Sequence, residues 1–307
     1  MSQSFELTVL GTGSATPTLQ RNPSAQILKV REKLYLIDCG EGTQLALRKN
    51  KIKFQRIERV FISHLHGDHY LGLQGLLSTL SLLGRTKEIH IYAPKGLEEL
   101  TELQFEVSRS ICAFPIHFHT LSGTESMEIF ENDDIIVSSF PLKHRIESFG
   151  FLFKEKKKQR HINGRLAKEQ NVPHYAFSTL KKGQDFVDPN TNKIYTSEEF
   201  TLPASPSYSF AYCSDTAYLP NLVDIIKGCD LLYHETTFLE KDKVLAEKTQ
   251  HSTCVEAANI AKAAKVKQLL MGHYSSRYDD LQVLLNECKS IFENTHLCKD
   301  GDVIKLS

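Results

Sequence analysis

Several features are missing from this chain, and each absence narrows what it can be. No run of apolar residues approaches the roughly 20 that a membrane-spanning helix needs. The longest mildly apolar stretch, Leu71–Leu83, is interrupted by Gly, Gln, Ser and Thr. The opening MSQSFELTVLGTG lacks a basic segment followed by an apolar block, so no secretory leader is expected. Cysteine is scarce: the seven residues are odd in number and form no CxxC pair. That usage argues against a disulfide framework and points to the cytoplasm. Neither sign of charge dominates, with 37 Lys and Arg against 37 Asp and Glu, so the overall balance does not mark a nucleic-acid binder. What remains, 307 residues that are 41% apolar and 24% charged, is the composition of a globular protein and excludes disordered, collagen-like and coiled-coil chains. The length suits one large domain or two ordinary ones.

Short β-branched or alternating segments bounded by Gly, Pro, Asn or Asp predict strands. They cover Phe5–Gly11, Ala25–Val30, Lys33–Asp38, Arg59–His64, Glu88–Ala93, Asp134–Phe140, Phe149–Lys154, Ser207–Asp215, Asp230–Glu235 and Gln268–His273. Helical periodicity follows Leu71, Pro94, Thr253 and Asp279, with Ser252 and Thr253 standing where an N-cap belongs. The pattern is mixed α/β, favouring sheets covered by helices. One stretch breaks the rhythm. Residues 154–206 hold Pro173, Pro189, Pro203 and Pro206, and between Lys154 and Lys182 nine Lys or Arg face only two acids. We expect a single domain over residues 1–307 with a protruding basic arm over 154–206. A charge run alone is more often a solvated surface than a binding site.

The decisive stretch is SHLHGDHYLG, Ser63–Gly72. It follows the apolar strand RVFI and precedes a helix, which places His64, His66, Asp68 and His69 on one tight loop. Three imidazoles and a carboxylate within six residues make poor core packing, because each needs a polar partner once buried. Imidazole and carboxylate are ligands for zinc and similar divalent ions. The H-x-H pair can aim at one ion, and Asp68 with His69 at a second. His144, Asp215 and His273 each stand at the end of a predicted strand, where α/β scaffolds gather their site residues.

With those three, HLHGDH resembles the metallo-β-lactamase superfamily, and within it the ribonuclease Z group of tRNA 3′-processing endonucleases. The resemblance rests on LGTGSATPTLQRN (Leu10–Asn22), LIDCGEGTQ (Leu36–Gln44), SHLHGDHYLGLQGLL, YAPKG (Tyr92–Gly96), CSDT (Cys213–Thr216), HETTF (His234–Phe238), HST (His251–Thr253) and GHYSSRY (Gly272–Tyr278). It implies a four-layer αββα sandwich. It also implies that His64, His66 and His144 hold one zinc, that Asp68, His69 and His273 hold another, and that Asp215 bridges them; manganese tolerates similar ligands. Asp68 is the implied general base, and His251 paired with Glu235 the implied proton donor to the leaving oxygen. His234 reads as a buried structural residue.

The implied substrate is precursor tRNA, cut after the discriminator base to leave a 3′-hydroxyl. The arm, with Lys156, Lys157, Lys158, Arg160, Lys181 and Lys182, would grip phosphates, and Arg21 offers another phosphate contact. A homodimer is implied as well. The sequence departs from the family pattern at Leu19, where a Lys is usual, at Pro173-His174, where Gly-Pro is usual, and at Thr236, which replaces an Ala. The HxHxDH loop alone also fits another hydrolase of the superfamily: a phosphodiesterase, thioesterase, lactonase or arylsulfatase.

Overall fold

The computed structural model describes residues 5–306; the first four residues of the N-terminal stretch read above lie outside them. The chain forms two compact units, one of residues 1–153 with 209–307 and one of Lys154–Tyr208. Its first strands are β1 (Phe5–Gly11), β2 (Ala25–Val30), β3 (Lys33–Cys39), β4 (Ile57–Phe61), β5 (Ile89–Pro94), β6 (Ile116–Leu121), β7 (Met127–Glu131), β8 (Ile135–Pro141) and β9 (Phe149–Glu155). Four two-residue strands follow: β10 (His161–Ile162), β11 (Phe186–Val187), β12 (Ile194–Tyr195) and β13 (Thr201–Leu202). The last are β14 (Ser209–Cys213), β15 (Leu231–Glu235), β16 (Gln268–Gly272), β17 (Thr295–Leu297) and β18 (Val303–Leu306).

In the larger unit these build two seven-stranded sheets, ordered β18-β1-β2-β3-β4-β5-β6 and β17-β16-β15-β14-β9-β8-β7. The sheets meet through aromatic rings: Phe61 of β4 lies 5.5 Å from Phe151 and 5.2 Å from Phe153 of β9, and Tyr35 of β3 lies 6.3 Å from Phe153. Rings alternate with outward aliphatics because successive strand residues point to opposite faces. On the outer face of the first sheet, Leu36, Val60 and Ile91 pack against Leu73, Leu76, Leu77 and Leu80 of the helix Leu73–Leu82. Behind the second sheet, Leu232, Leu269 and Met271 pack against Ala258, Ile260 and Ala261 of the helix Cys254–Ala263. The result is the four-layer αββα sandwich expected. Thr253 caps that second helix in a reciprocal capping box with Glu256.

Each sheet has a parallel half, β3 to β6 and β14 to β17. Parallel strands present all their C-terminal ends on one side, and that is where the chemistry collects. The second unit has its own small core, in which Ala167, Val172, Ala176, Leu180, Tyr195 and Phe200 are buried. Its strands pair as two two-stranded sheets.

Candidate metal centre

β4 ends at Phe61, three residues short of His64, so the sequence overextends this strand. The chain then runs free to a one-turn helix, Gly67–Tyr70, that carries Asp68 and His69. His144 follows β8, Asp215 lies just past β14, Glu235 is the last residue of β15, and His273 directly follows β16. His273 takes a left-handed backbone with φ of 57°. Close backbone approach holds the loop in place: a Cβ on Gly40 would sit 2.3 Å from the Asp68 carbonyl oxygen, and one on Gly72 would sit 2.1 Å from that of Gly40.

All seven expected ligands converge. His64 Nε2 and His144 Nε2 each lie 3.1 Å from His66 Nδ1. Asp215 divides its carboxylate between two groups. Its Oδ2 is 3.5 Å from His64 Nε2 and 3.8 Å from His144 Nε2, while its Oδ1 is 3.4 Å from His69 Nε2 and 3.1 Å from His273 Nε2. Asp68 Oδ2 completes the second group, 3.3 Å from His69 Nε2 and 3.4 Å from His273 Nε2. Donors bonded to a tetrahedral ion at about 2.0–2.1 Å lie roughly 3.3–3.4 Å apart, close to this spacing.

Electrostatics agree with a cation at this place. Burial pushes the His64 imidazole down to about 4, and burial also lowers His66 and His144. They are therefore neutral, the form that ligates metal. His69 behaves oppositely. Burial disfavours its charge, but Asp215, Asp68 and Asp38 together raise it well above its ordinary range; three carboxylates around one imidazole call for positive charge. Burial would raise Asp68, yet His69 and His273 hold it below the usual carboxylate range. Two buried atoms at the centre, His69 Nε2 and Asp215 Oδ1, make no hydrogen bond among the described residues. Such atoms cost free energy unless a ligand satisfies them. The donor set fits a divalent metal site.

The second nitrogen of each buried imidazole is held by residues that the sequence reading did not single out. His69 Nδ1 lies 2.7 Å from Asp38, a fully buried carboxylate that also accepts from Tyr212 Oη at 2.6 Å and from the Ser63 amide at 2.8 Å. His64 Nδ1 is 3.0 Å from Ser63 Oγ, His144 Nδ1 is 2.9 Å from the Gln250 carbonyl, and His273 Nδ1 is 2.9 Å from Thr237 Oγ1. These contacts fix ring orientation and raise ligand basicity. A buried Asp ending an apolar strand, as in LIDCG, was the available signal for Asp38.

Beside the ligands lies a cavity of about 540 Å³, lined by His66, Asp68, His144, Asp215, His251 and His273 together with Ser14 to Pro17. His251 Nδ1 is 2.9 Å from Glu235 Oε1. Burial alone would lower this imidazole, but the Glu235 carboxylate carries it up to about 9, so it keeps a proton at neutral pH. Glu235 is itself fully buried and accepts the Thr216 amide at 2.8 Å. His234 is buried with Nδ1 2.8 Å from the Glu235 carbonyl, a structural placement. Thr236 donates to the Gly272 carbonyl at 3.0 Å, tying β15 to β16.

The expected substrate contacts fare unevenly. Lys158 is a correction. Its side chain is 4% exposed, with Nζ 2.8 Å from Glu155 and donating to the Pro206 carbonyl at 2.7 Å, so its ammonium is consumed internally. Lys157 and Lys182 are exposed, while Lys156, Arg160 and Lys181 are half-buried; Arg160 Nε donates to Thr201 Oγ1. Arg21 is absent from the lining of the catalytic cavity and lines another of about 390 Å³ with Lys49, Lys299 and Asp300.

Two facing sheets with a His/Asp cluster at their strand ends define a metallo-β-lactamase-fold metal hydrolase. The same fold is found in YhfI from Bacillus subtilis, a metallo-β-lactamase fold protein 16% identical, with a TM-score of 0.69 over 98% of this chain and 99% of that one. The short form of human tRNase Z superposes with a TM-score of 0.71 at 28% identity, over 97% of this chain and 98% of that one. A ribonuclease Z of Bacteroides thetaiotaomicron is 45% identical over 305 residues, 99% of this chain and 96% of its own length. The chain belongs to the ribonuclease Z family. The family model described as "Anti-Pycsar protein Apyc1" also matches, over residues 5–159; that span includes the HLHGDH loop and His144 but stops before Asp215, Glu235, His251 and His273.

Proposed function

We propose that the chain is a metal-dependent endoribonuclease that removes 3′ trailers from tRNA precursors, cutting after the discriminator base to leave a tRNA 3′-hydroxyl. The observation that carries this reading is the division of Asp215 between two ligand groups beside a His251–Glu235 pair on one cavity. His64, His66 and His144 would hold one zinc and Asp68, His69 and His273 the other, with Asp215 shared; manganese suits the same donors. Two such ions, when bound, supply Lewis-acid stabilisation to the attacking and leaving oxygens of a phosphodiester.

The protein's own groups supply the proton transfers. Asp68, fixed by the Ala15 amide donating to Oδ2 at 2.8 Å, is the acceptor for the attacking water's proton. His251, protonated through Glu235, donates to the departing 3′-oxygen, which otherwise leaves as an alkoxide. Lys156, Lys157, Arg160, Lys181, Lys182 and Arg21 would contact phosphates, which position tRNA without reading its sequence.

Two further assignments belong to this reading. Seven free thiols suit a cytoplasmic enzyme. A homodimer is supported by exposed Leu82, Leu83, Leu100, Leu103, Val107 and Ile111 in one region of the larger unit, where Ser81 Oγ contacts the Ile111 carbonyl; sedimentation of Leu103→Glu, expected as monomer, tests it.

The experiment for the activity uses purified protein and a precursor tRNA with a 3′ trailer. One cut at the discriminator base is expected with zinc or manganese. An uncut precursor with both metals, alongside hydrolysis of a thioester, lactone or aryl sulfate, would assign the site to another hydrolase.

A further inference from the structure

Glu235 has a second oxygen that the proposed proton donor does not use. Its Oε1 faces His251 Nδ1 at 2.9 Å and accepts from the Thr216 amide at 2.8 Å. Its Oε2 turns the other way and accepts from Thr237 Oγ1 at 2.5 Å and from the Thr237 amide at 3.3 Å. The same hydroxyl lies 2.9 Å from His273 Nδ1 and 3.0 Å from the His273 carbonyl. Glu235, Thr237 and His273 are all buried, so bulk water does not compete for these bonds. The fold sets the meeting: Glu235 ends β15 opposite Gly272 of the parallel strand β16, and His273 comes next.

The direction of this chain of bonds follows from its donors. Each Glu235 oxygen meets a backbone N–H, so both act as acceptors. A threonine hydroxyl carries one proton. That proton goes to Oε2, its shortest contact, and the hydroxyl oxygen is left to accept from His273 Nδ1–H. The His273 Nε2 lone pair then faces the second ligand group, 3.1 Å from Asp215 Oδ1 and 3.4 Å from Asp68 Oδ2. We propose that Thr237 is a positioning residue that extends Glu235 to the metal, so that one carboxylate serves the proton donor through Oε1 and the proposed metal ligand His273 through Oε2. The inference rests on the metal reading given above.

Competition for one hydrogen makes the hydroxyl necessary. A neutral imidazole carries its hydrogen on one nitrogen and its lone pair on the other. Two carboxylates stand on the Nε2 side, and either would draw the hydrogen there and remove the lone pair that binds an ion. Thr237 holds the hydrogen on Nδ1 instead. The charge of Glu235 polarises the hydroxyl, and the hydroxyl polarises the imidazole. Carboxylates behind ligating histidines orient the ring and raise its basicity in this way; here a hydroxyl stands between the two. Metal affinity and the placement of the leaving-group donor thus depend on one side chain.

The test reads zinc affinity of the full chain by chelator competition, with turnover measured separately at saturating zinc. Thr237→Val keeps the shape and removes the hydroxyl, and it should weaken one of the two ions about 10- to 100-fold. Thr237→Ser keeps the hydroxyl and should bind both as wild type does. Glu235→Gln alters no ligand, yet it should weaken the same ion about tenfold. The Thr216 amide holds the Gln carbonyl at the Oε1 position, so an NH2 group meets Thr237 where an acceptor stood. In the Thr237→Val background, Glu235→Gln should cost nothing further, because the path is already cut. His251→Ala should leave zinc affinity unchanged. Should Thr237→Val melt early, Glu235→Gln against wild type decides alone. Unchanged zinc affinity in Glu235→Gln, with the precursor still cut by wild type, would overturn the proposal while the metal reading stands. A full further loss in the double variant would also overturn it, because a through-space charge effect adds where a bonded path does not. Wild-type protein that binds fewer than two ions would overturn both.

Discussion

The proton on His251 is the point at which the proposed mechanism is most exposed to test. Replacing His251 with Ala removes the donor to the leaving oxygen, a contribution of about 100- to 10,000-fold in rate, or roughly 2.7–5.5 kcal/mol. Glu235→Gln is subtler, because it keeps the shape and removes the charge. Burial pushes the imidazole down, and the carboxylate 2.9 Å away carries it up to about 9. Without that charge it falls to its ordinary value of about 6.5 or lower, so at about pH 7.5 the protonated form drops from nearly all to roughly a tenth. The sign follows. A donor form that has been lost is restored by acid, so the variant should be about tenfold slower at about pH 7.5 and approach wild type as pH falls toward 6. Its basic limb moves to lower pH.

The assay compares two substrates across pH. One is a precursor tRNA, whose leaving 3′-alkoxide needs a proton; the other is bis(p-nitrophenyl) phosphate, whose leaving phenolate does not. His251→Ala should lose its two to four decades on the tRNA and stay within about threefold on the aryl ester. Equal losses on both substrates would refute the donor role, as would a Glu235→Gln profile whose basic limb stays in place.

The candidate centre was legible because its proposed ligands are residue types that a core rejects. HLHGDH crowds four of them into six residues, and His144, Asp215 and His273 fall just past strands whose apolar alternation is plain. The strands that were missed had their signal diluted. β6 reads IHFHTL, where two exposed histidines alternate with half-buried Ile116 and Phe118, and β7 is mostly exposed along its length. β18 has four residues, and its pairing is visible only when Leu306 meets Phe5 at the far end of the chain. Burial of Lys158 was hidden for the same reason. Within KKK it looks like its neighbours, and only Pro206 and Glu155, brought close by folding, separate it from them. What depends on residue type survives in a linear reading; what depends on a distant partner does not.

The other predictions concern the residues behind the ligands and the arm. Asp38→Asn, which weakens the hold on His69 Nδ1, should lower zinc affinity about 10- to 100-fold in a chelator competition, and unchanged affinity would refute its positioning role. Gly40→Ala forces a methyl to within 2.3 Å of the Asp68 carbonyl, so zinc content and turnover should fall together while the far-ultraviolet dichroism persists. In the arm, Lys157 and Lys182 are exposed, and their joint replacement by Ala should leave the melting temperature alone while flattening the salt dependence of tRNA binding by about two counterions. Lys158→Ala should do the reverse. It strands the Glu155 carboxylate, whose side chain is 3% exposed, and an uncompensated buried charge costs about 3–5 kcal/mol. The arm should therefore unfold earlier, with precursor binding rescued on cooling, and the salt slope measured on the folded protein should match wild type. If Lys158→Ala lowers that slope without lowering the melting temperature, its ammonium reaches phosphate and the internal pairing with Glu155 is not what holds it.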